Sequence, residues 1–271
     1  MSFRAGKTPN DVFRERPSMV HSTMPQLHAA CESNNGSVRE HNEDNFCCAA
    51  EPEGYLFAAV ADGVGGHSGG DIASFLCCHR LLLDWKALTR NNQVLPDTVM
   101  PRFLVDSIRG ANADIFRANF EQHKRIPMCT TIAAVVFTPQ LVIAAHVGDS
   151  RLYCSRKNTI MQLTIDHTLL NELNETGGLS ADTVRPAANI ISKAVGPQVR
   201  VKPEIHTYFR CPTDRYLLCS DGLTSYLTDN EITQILDRSV TPREATDVLI
   251  RETLRRGAAD NVTVLCIFPR I

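Results

Sequence analysis

The chain has 271 residues, 43% of them hydrophobic and 21% charged, with a formal net charge of -2. That length can bury a sizeable core in one large domain or two small ones. The charge balance leaves no electrostatic footprint for nucleic acid or an anionic membrane surface, and no apolar run approaches the roughly 20 residues that a membrane-spanning helix needs.

Residues 1–26 contain three prolines, no sustained period and no apolar stretch of signal-peptide type. They read as an irregular N-terminal tail, and a cytoplasmic location is expected. From residue 27 on, no long linker or repeat interrupts the chain, so residues 27–271 are taken as one domain. Asn45–Ala50 reads as a weak strand and Tyr55–Ala61 as a strong one. Helical spacing over Asp71–Asp84 places Ile72, Phe75, Leu76, His79 and Leu82 on one face, expected to be buried. Over Arg102–Glu121 it does the same for Leu104, Ile108, Ala111 and Ile115. Thr131–Phe137 and Leu141–Val147 are strands joined by the turn residues Thr138-Pro139-Gln140, hence an antiparallel hairpin. Arg151–Ser155 and Ile205–Phe209 are weaker strands, and Arg215–Cys219 is a clear one. Thr228 with Glu231 forms a capping-box signature, Thr241-Pro242 with Glu244 opens a last helix, and Gly257 stops it. Val262–Phe268 closes the chain as a strand. Antiparallel strands with interleaved helices imply sheets covered by helical layers, but periodicity alone does not decide between one sheet and two.

The ten cysteines occur as two adjacent pairs and scattered singles, without zinc-type spacing. They are read as small core residues in a reducing compartment.

The acids carry the chemical signal. The apolar run 58–61 leads into Asp62, the run 144–147 leads through Gly148 into Asp149, and Leu217–Cys219 leads through Ser220 into Asp221. Asp260 stands just before the last strand. Gly63, Gly148 and Gly222 sit beside three of these acids, where glycine permits a sharp turn and a close approach. A single Asp-Gly pair is ordinarily only a turn. Four strand-end acids plus Asn42-Glu43-Asp44 are a different matter, because converging carboxylates lose solvation and repel unless a cation joins them. An oxygen-only set suits Mg²⁺, Mn²⁺ or Ca²⁺. The glycine-rich segment Asp62–Gly70 lacks the Lys-Ser/Thr of a phosphate-binding Walker loop. Arg39, just upstream of Asn42-Glu43-Asp44, has the fork geometry that suits two phosphate oxygens.

Seven ordered segments run from Gly36-Ser37-Val38-Arg39-Glu40-His41-Asn42-Glu43-Asp44 through Asp62-Gly63-Val64-Gly65-Gly66-His67 and Gly148-Asp149-Ser150-Arg151. They continue with Asp166-His167, Ser192-Lys193-Ala194-Val195-Gly196, Ser220-Asp221-Gly222-Leu223 and Asp260-Asn261-Val262-Thr263. In order and spacing they resemble the metal-dependent serine/threonine protein phosphatases of type 2C in their bacterial form, over about residues 30–271. The resemblance implies an α+β fold, a four-layer α-β-β-α sandwich of two antiparallel sheets flanked by helix pairs. It implies that Asp62 bridges two Mn²⁺ or Mg²⁺ ions, joined by the Gly63 carbonyl. Asp221 and Asp260 would serve the first ion, and Glu43 and Asp44 the second or its waters. Asp149 with Asp221 would form a weaker third site, and Arg39 would hold the phosphate. Water activated by the ion pair would attack phosphorus directly, without a phosphoenzyme.

The resemblance further implies phosphorylated proteins as partners, with a cognate serine/threonine kinase among them, and a monomer. It places a variable flap at about 168–189. Many eukaryotic members carry histidine directly after the Asp-Gly pair; Val64 stands here, and His67 does not align with it. Ser225 stands where some members have a further aspartate. Asp166 is expected to cap a helix starting near Thr168, with His167 structural. Two other classes fit less well: a catalytically silent binding module would be expected to have lost metal acids, and a two-metal nuclease would need a basic stripe and aromatic platforms.

Overall fold

The computed structural model describes residues 24–51, 54–64, 69–91, 94–123, 125–175 and 190–270. Most of the expected tail, His67 and the flap beyond residue 175 therefore lie outside the described residues.

Eleven strands are described: β1 Leu27–Asn34, β2 Asp44–Ala50, β3 Leu56–Val64, β4 Cys129–Thr130, β5 Ile132–Phe137, β6 Leu141–Val147, β7 Arg151–Arg156, β8 Thr159–Gln162, β9 Glu204–Phe209, β10 Arg215–Cys219 and β11 Val262–Pro269. The helices are α1 Gly70–Thr89, α2 Val99–Glu121, α3 Leu169–Glu175, α4 Asp221–Thr224, α5 Asp229–Arg238 and α6 Pro242–Arg255. The strands form two antiparallel sheets, one ordered β2-β3-β5-β6-β9 with β4 paired to β3, the other β1-β11-β10-β7-β8.

The strong strands read as continuous apolar runs because both of their faces are buried. In β3, Phe57, Ala59 and Ala61 face α1 and α2, where they meet Leu81, Trp85, Leu104 and Ile108. The alternate residues Ala58 and Val60 face the second sheet and meet Leu218, Leu265 and Ile267. On the far side, Leu217, Cys219, Val264 and Cys266 pack on Ile232, Leu236 and Leu249 of α5 and α6. Three apolar layers thus separate four structural layers, and the molecule is an α-β-β-α sandwich. Trp85 anchors the first layer: it is fully buried, stacks on Phe57 at 5.5 Å and donates its indole N–H to Glu51 at 3.0 Å.

The hairpin of β5 and β6 forms as expected, with Thr138 Oγ1 accepting the backbone N–H of Leu141 at 3.0 Å. The capping box at Thr228 and Glu231 is present. Thr241 caps α6 with Pro242 in its first turn, and Gly257 follows it at φ +98°. The expected face of α2 is buried completely.

The expected face of α1 is corrected in part: Leu76 and Leu82 are half-buried against the core, and the other three residues are not. Ile72 is 41% and Phe75 54% exposed, and His79 is exposed too. The buried face is Ala73, Ser74, Cys77, Cys78, Leu81 and Trp85. Apolar residues surround this helix, so its sequence offers two candidate stripes. The smaller side chains win because they let the helix approach β2 and β3 closely, and Ser74 Oγ reaches the Glu43 carbonyl at 2.5 Å.

Three strands go beyond the sequence reading, one of them the two-residue β4. β1 is an edge strand of mixed polarity, and β8 has only four residues. Lys157 and Asn158, both with positive φ, form the tight β7–β8 turn, and Asn158 is the sequence signal that marks it.

Candidate metal centre

The strand-end acids meet at one end of the sandwich, and they come from both sheets. Asp44 and Asp62 lie directly opposite each other in the β2–β3 register, which puts both side chains on the same face. Asp221 opens α4 immediately after β10, and Asp260 precedes β11. Asp149 lies in the turn between β6 of one sheet and β7 of the other. Their charges act on one another. Burial, and then Asp44, Asp221, Asp149 and Asp260, push the Asp62 carboxyl well above the usual range. Burial chiefly raises Asp44 to about 6, although hydrogen bonds from Thr263 and Ser220 hold it down. Burial and then Asp221 raise Asp149 to about 7, and burial and then Asp260 raise Asp221.

Two of these carboxylates keep an oxygen without a partner among the described residues. Asp44 Oδ1 and Asp149 Oδ1 are buried and accept no hydrogen bond. The other Asp44 oxygen accepts from Ser220 Oγ at 2.7 Å. Buried, unpaired, mutually repelling carboxylate oxygens are what a hard divalent cation satisfies, so the donor set fits such a cation.

The backbone around the acids is tightly built. A Cβ on Gly63 would stand 2.3 Å from the Gly70 carbonyl oxygen and 2.6 Å from that of Glu43, so no side chain fits there. The Asp62 backbone is held at both ends: its N–H donates to Thr131 Oγ1 at 3.0 Å, and its carbonyl accepts from Thr130 Oγ1 at 2.8 Å. Asn261 was assigned no role from sequence, yet it organises the opposite loop. Its Oδ1 accepts the Glu43 N–H at 2.9 Å, and its Nδ2 donates to the carbonyls of Asn35 at 3.0 Å and His41 at 2.9 Å. That loop carries Arg39, whose Nη2 meets Asp260 Oδ2 at 2.9 Å with both side chains nearly half exposed. All the expected site residues, Arg39, Glu43, Asp44, Asp62, Gly63, Asp149, Asp221 and Asp260, therefore belong to this end of the sandwich. Asn261, Ser220, Thr130 and Thr131 join them as supports.

Beside the acids lies a cleft of about 430 Å³ bordered by Asp149, Asp221, Thr168, Asn171, Thr224 and Ser225. Its floor includes Arg151, which forms a forked ion pair with Asp166, the shortest contact being 2.7 Å. Asp166 therefore does not cap α3. Its carboxylate is committed to Arg151 and Gln162, and Thr168 Oγ1 accepts the Asn171 N–H at 3.3 Å instead.

A second group of ligand-type side chains lies at the end of β6. His146, His167 and Glu204 bring one donor atom each within 4.8 Å of the others. The two imidazole planes are 7° apart with centroids at 4.6 Å, so their in-plane lone pairs run parallel and do not converge on one ion. Hydrogen bonds connect this group: His167 Nε2 and His206 Nε2 each face a different Glu204 oxygen, at 3.2 and 2.7 Å.

Comparison with known proteins finds relatives over most of the chain. The family model described as Protein phosphatase 2C matches residues 34–258. The serine/threonine phosphatase stp of Listeria welshimeri is 34% identical over 243 residues, covering 89% of this chain and 95% of that protein. Protein phosphatase PhpP of Streptococcus pneumoniae is 30% identical over 234 residues, covering 86% and 93%. Among solved structures, the S. agalactiae serine/threonine phosphatase superposes with a TM-score of 0.81 at 29% identity, covering 90% of this chain and all of that one. The catalytic domain of the serine threonine protein phosphatase PstP, in complex with 2 manganese ions, does so with a TM-score of 0.75 at 30% identity, covering 89% and 97%.

Proposed function

Since the chain belongs to the protein phosphatase 2C family and is thereby a serine/threonine phosphatase, we propose that it hydrolyses phosphoserine and phosphothreonine on proteins at a dinuclear Mn²⁺ or Mg²⁺ centre. The observation that carries this reading is the convergence of Asp44, Asp62, Asp149, Asp221 and Asp260 from two sheets, with buried carboxylate oxygens left unpartnered. Asp62, the Gly63 carbonyl, Asp221 and Asp260 would hold the cations, with Glu43 and Asp44 serving the second ion or its waters. Asp149 with Asp221 would hold a weaker third. Such cations make water a competent nucleophile at neutral pH and offset phosphoryl charge.

The chain's own groups supply the rest. The Arg39 guanidinium can donate to two phosphoryl oxygens through its fork and so orient phosphorus toward the acids. Asn261 keeps Arg39 and Glu43 in place by tying down their loop. No cysteine is required, and burial raises the Cys77, Cys219 and Cys266 thiols, which makes them poor nucleophiles. Residues 27–271 are taken as the phosphatase domain, acting as a monomer on phosphoproteins that include a cognate kinase.

The test is hydrolysis of p-nitrophenyl phosphate and of a phosphothreonine peptide with Mn²⁺, with Mg²⁺ and with chelator. Turnover is expected with metal only, and Asp62→Asn or Asp221→Asn should reduce it by at least about 100-fold without unfolding the chain. Full turnover in chelator, or in either variant, would defeat the proposal.

A further inference from the structure

His167 holds both polar backbone groups of one residue. Its own N–H donates to the Gly148 carbonyl at 3.0 Å, and its ring Nδ1 accepts the Gly148 N–H at 3.1 Å. Gly148 has φ +102°, and a Cβ there would lie 2.6 Å from Thr131 Cγ2. The turn that delivers Asp149 is therefore fixed one residue before that acid. Because Nδ1 is an acceptor, the ring proton sits on Nε2, facing Glu204 Oε2 at 3.2 Å. His146 stacks against the ring at 4.6 Å and holds its plane.

From this arrangement we infer that His167 is a positioning residue for Asp149, with Glu204 setting its tautomer from the next strand. The inference rests on the reading of Asp149 as a ligand of the weaker third cation. A carboxylate in a cation site acts at a defined position, and partners behind the ligands commonly set metal affinity. If His167 only filled space, phenylalanine would replace it without consequence for the cation. If it acts through its acceptor nitrogen, a residue that restores an acceptor at that point preserves the effect. Asparagine does so, because its Oδ1 occupies roughly the place of Nδ1.

The experiment counts Mn²⁺ bound to the chelator-stripped, full-length protein by calorimetry and by electron paramagnetic resonance. It compares wild type, His167→Phe, His167→Asn and Glu204→Ala. His167→Phe is expected to weaken the last, weakest Mn²⁺ by about 10–100-fold while leaving the tighter ions unchanged. His167→Asn should stay close to wild type, and Glu204→Ala should fall between the two. In parallel, ¹⁵N resonances of the metal-free wild type should show His167 protonated at Nε2 and bare at Nδ1. An equal effect of Phe and Asn, or no effect of either, overturns the inference, as does a proton on Nδ1. A wild type that lacks the weak ion refutes the reading of Asp149, and this inference with it. A weak ion present in wild type and unchanged in His167→Phe refutes the inference alone. Should His167→Phe not fold, the contrast of Asn and Glu204→Ala with wild type still decides.

Discussion

His146 is fully buried at the end of β6, with Nε2 against the Ile165 carbonyl at 2.7 Å and Nδ1 without a partner among the described residues. Burial, ahead of every other influence, lowers its pKa to about 4. In the unfolded chain an imidazole titrates near about 6.5. Between those values the unfolded state binds the proton and the folded state refuses it, so the contribution of this imidazole to stability falls as pH drops from about 6.5 toward 4, while the raised carboxyls of Asp44 and Asp149 act in the opposite sense. The full effect is on the order of 3 kcal/mol. Chemical denaturation of wild type and His146→Gln across this window isolates the imidazole: relative to the variant, wild type should lose stability as pH falls. An identical slope in the variant would mean that another group is responsible.

Helix α1 carries two apolar stripes, and only one of them is fully buried. Leu81 is fully buried between α2 and the first sheet, whereas Phe75 is 54% exposed and stacks on the exposed His79 at 5.5 Å. Leu81→Ala should cost about 2–5 kcal/mol through lost burial and the cavity it leaves. Phe75→Ser should change stability by no more than about 0.5 kcal/mol. Urea unfolding of the two variants measures both, and a reversed order would mean that the helix is rotated from the orientation described. The rotation also has a local consequence for the site. With the small residues inward, Ser74 can reach the Glu43 carbonyl and Asn45 can donate to Ser74 Oγ at 2.9 Å. The helix thus supports the β2 end that holds Glu43 and Asp44.

The acids come from both sheets, so a cation bound between them would tie the layers together across the end of the sandwich. Asp44 and Asp62 belong to one sheet, while Asp221 and Asp260 adjoin strands of the other. Ligand that binds only the folded state stabilises it by mass action, about 2.7 kcal/mol at one hundred times Kd. Mn²⁺ should therefore raise the thermal midpoint of the whole molecule, by about 2–4 °C per kcal/mol for a chain of this class. Asp62→Asn should remove most of the rise. In the metal-free protein the same substitution should raise the midpoint, because it relieves the crowding of like charges that lifts the Asp62 pKa. Scanning calorimetry with and without chelator checks both directions; a variant less stable than metal-free wild type would contradict the repulsion.

Much of this was legible in the linear chain. Runs such as Leu141–Val147 and Arg215–Cys219 match their strands residue for residue, because a strand buried on both faces leaves little choice of residue type. The Thr228 and Thr241 caps were also legible, since a cap is satisfied within a few residues of itself. The acids at strand ends pointed to a site fit for a cation, and their ordered motifs announced the family. The tertiary structure alone decided the rest, where partners are distant in sequence. The inward face of α1 depends on how near β2 and β3 allow it to come. The engagement of Asp166 with Arg151 depends on the β7–β8 hairpin. The work of Asn261 on Asn35 and His41 spans more than two hundred residues. Local patterns record what a segment can bury or cap, whereas the choice among equivalent faces and partners is made by packing.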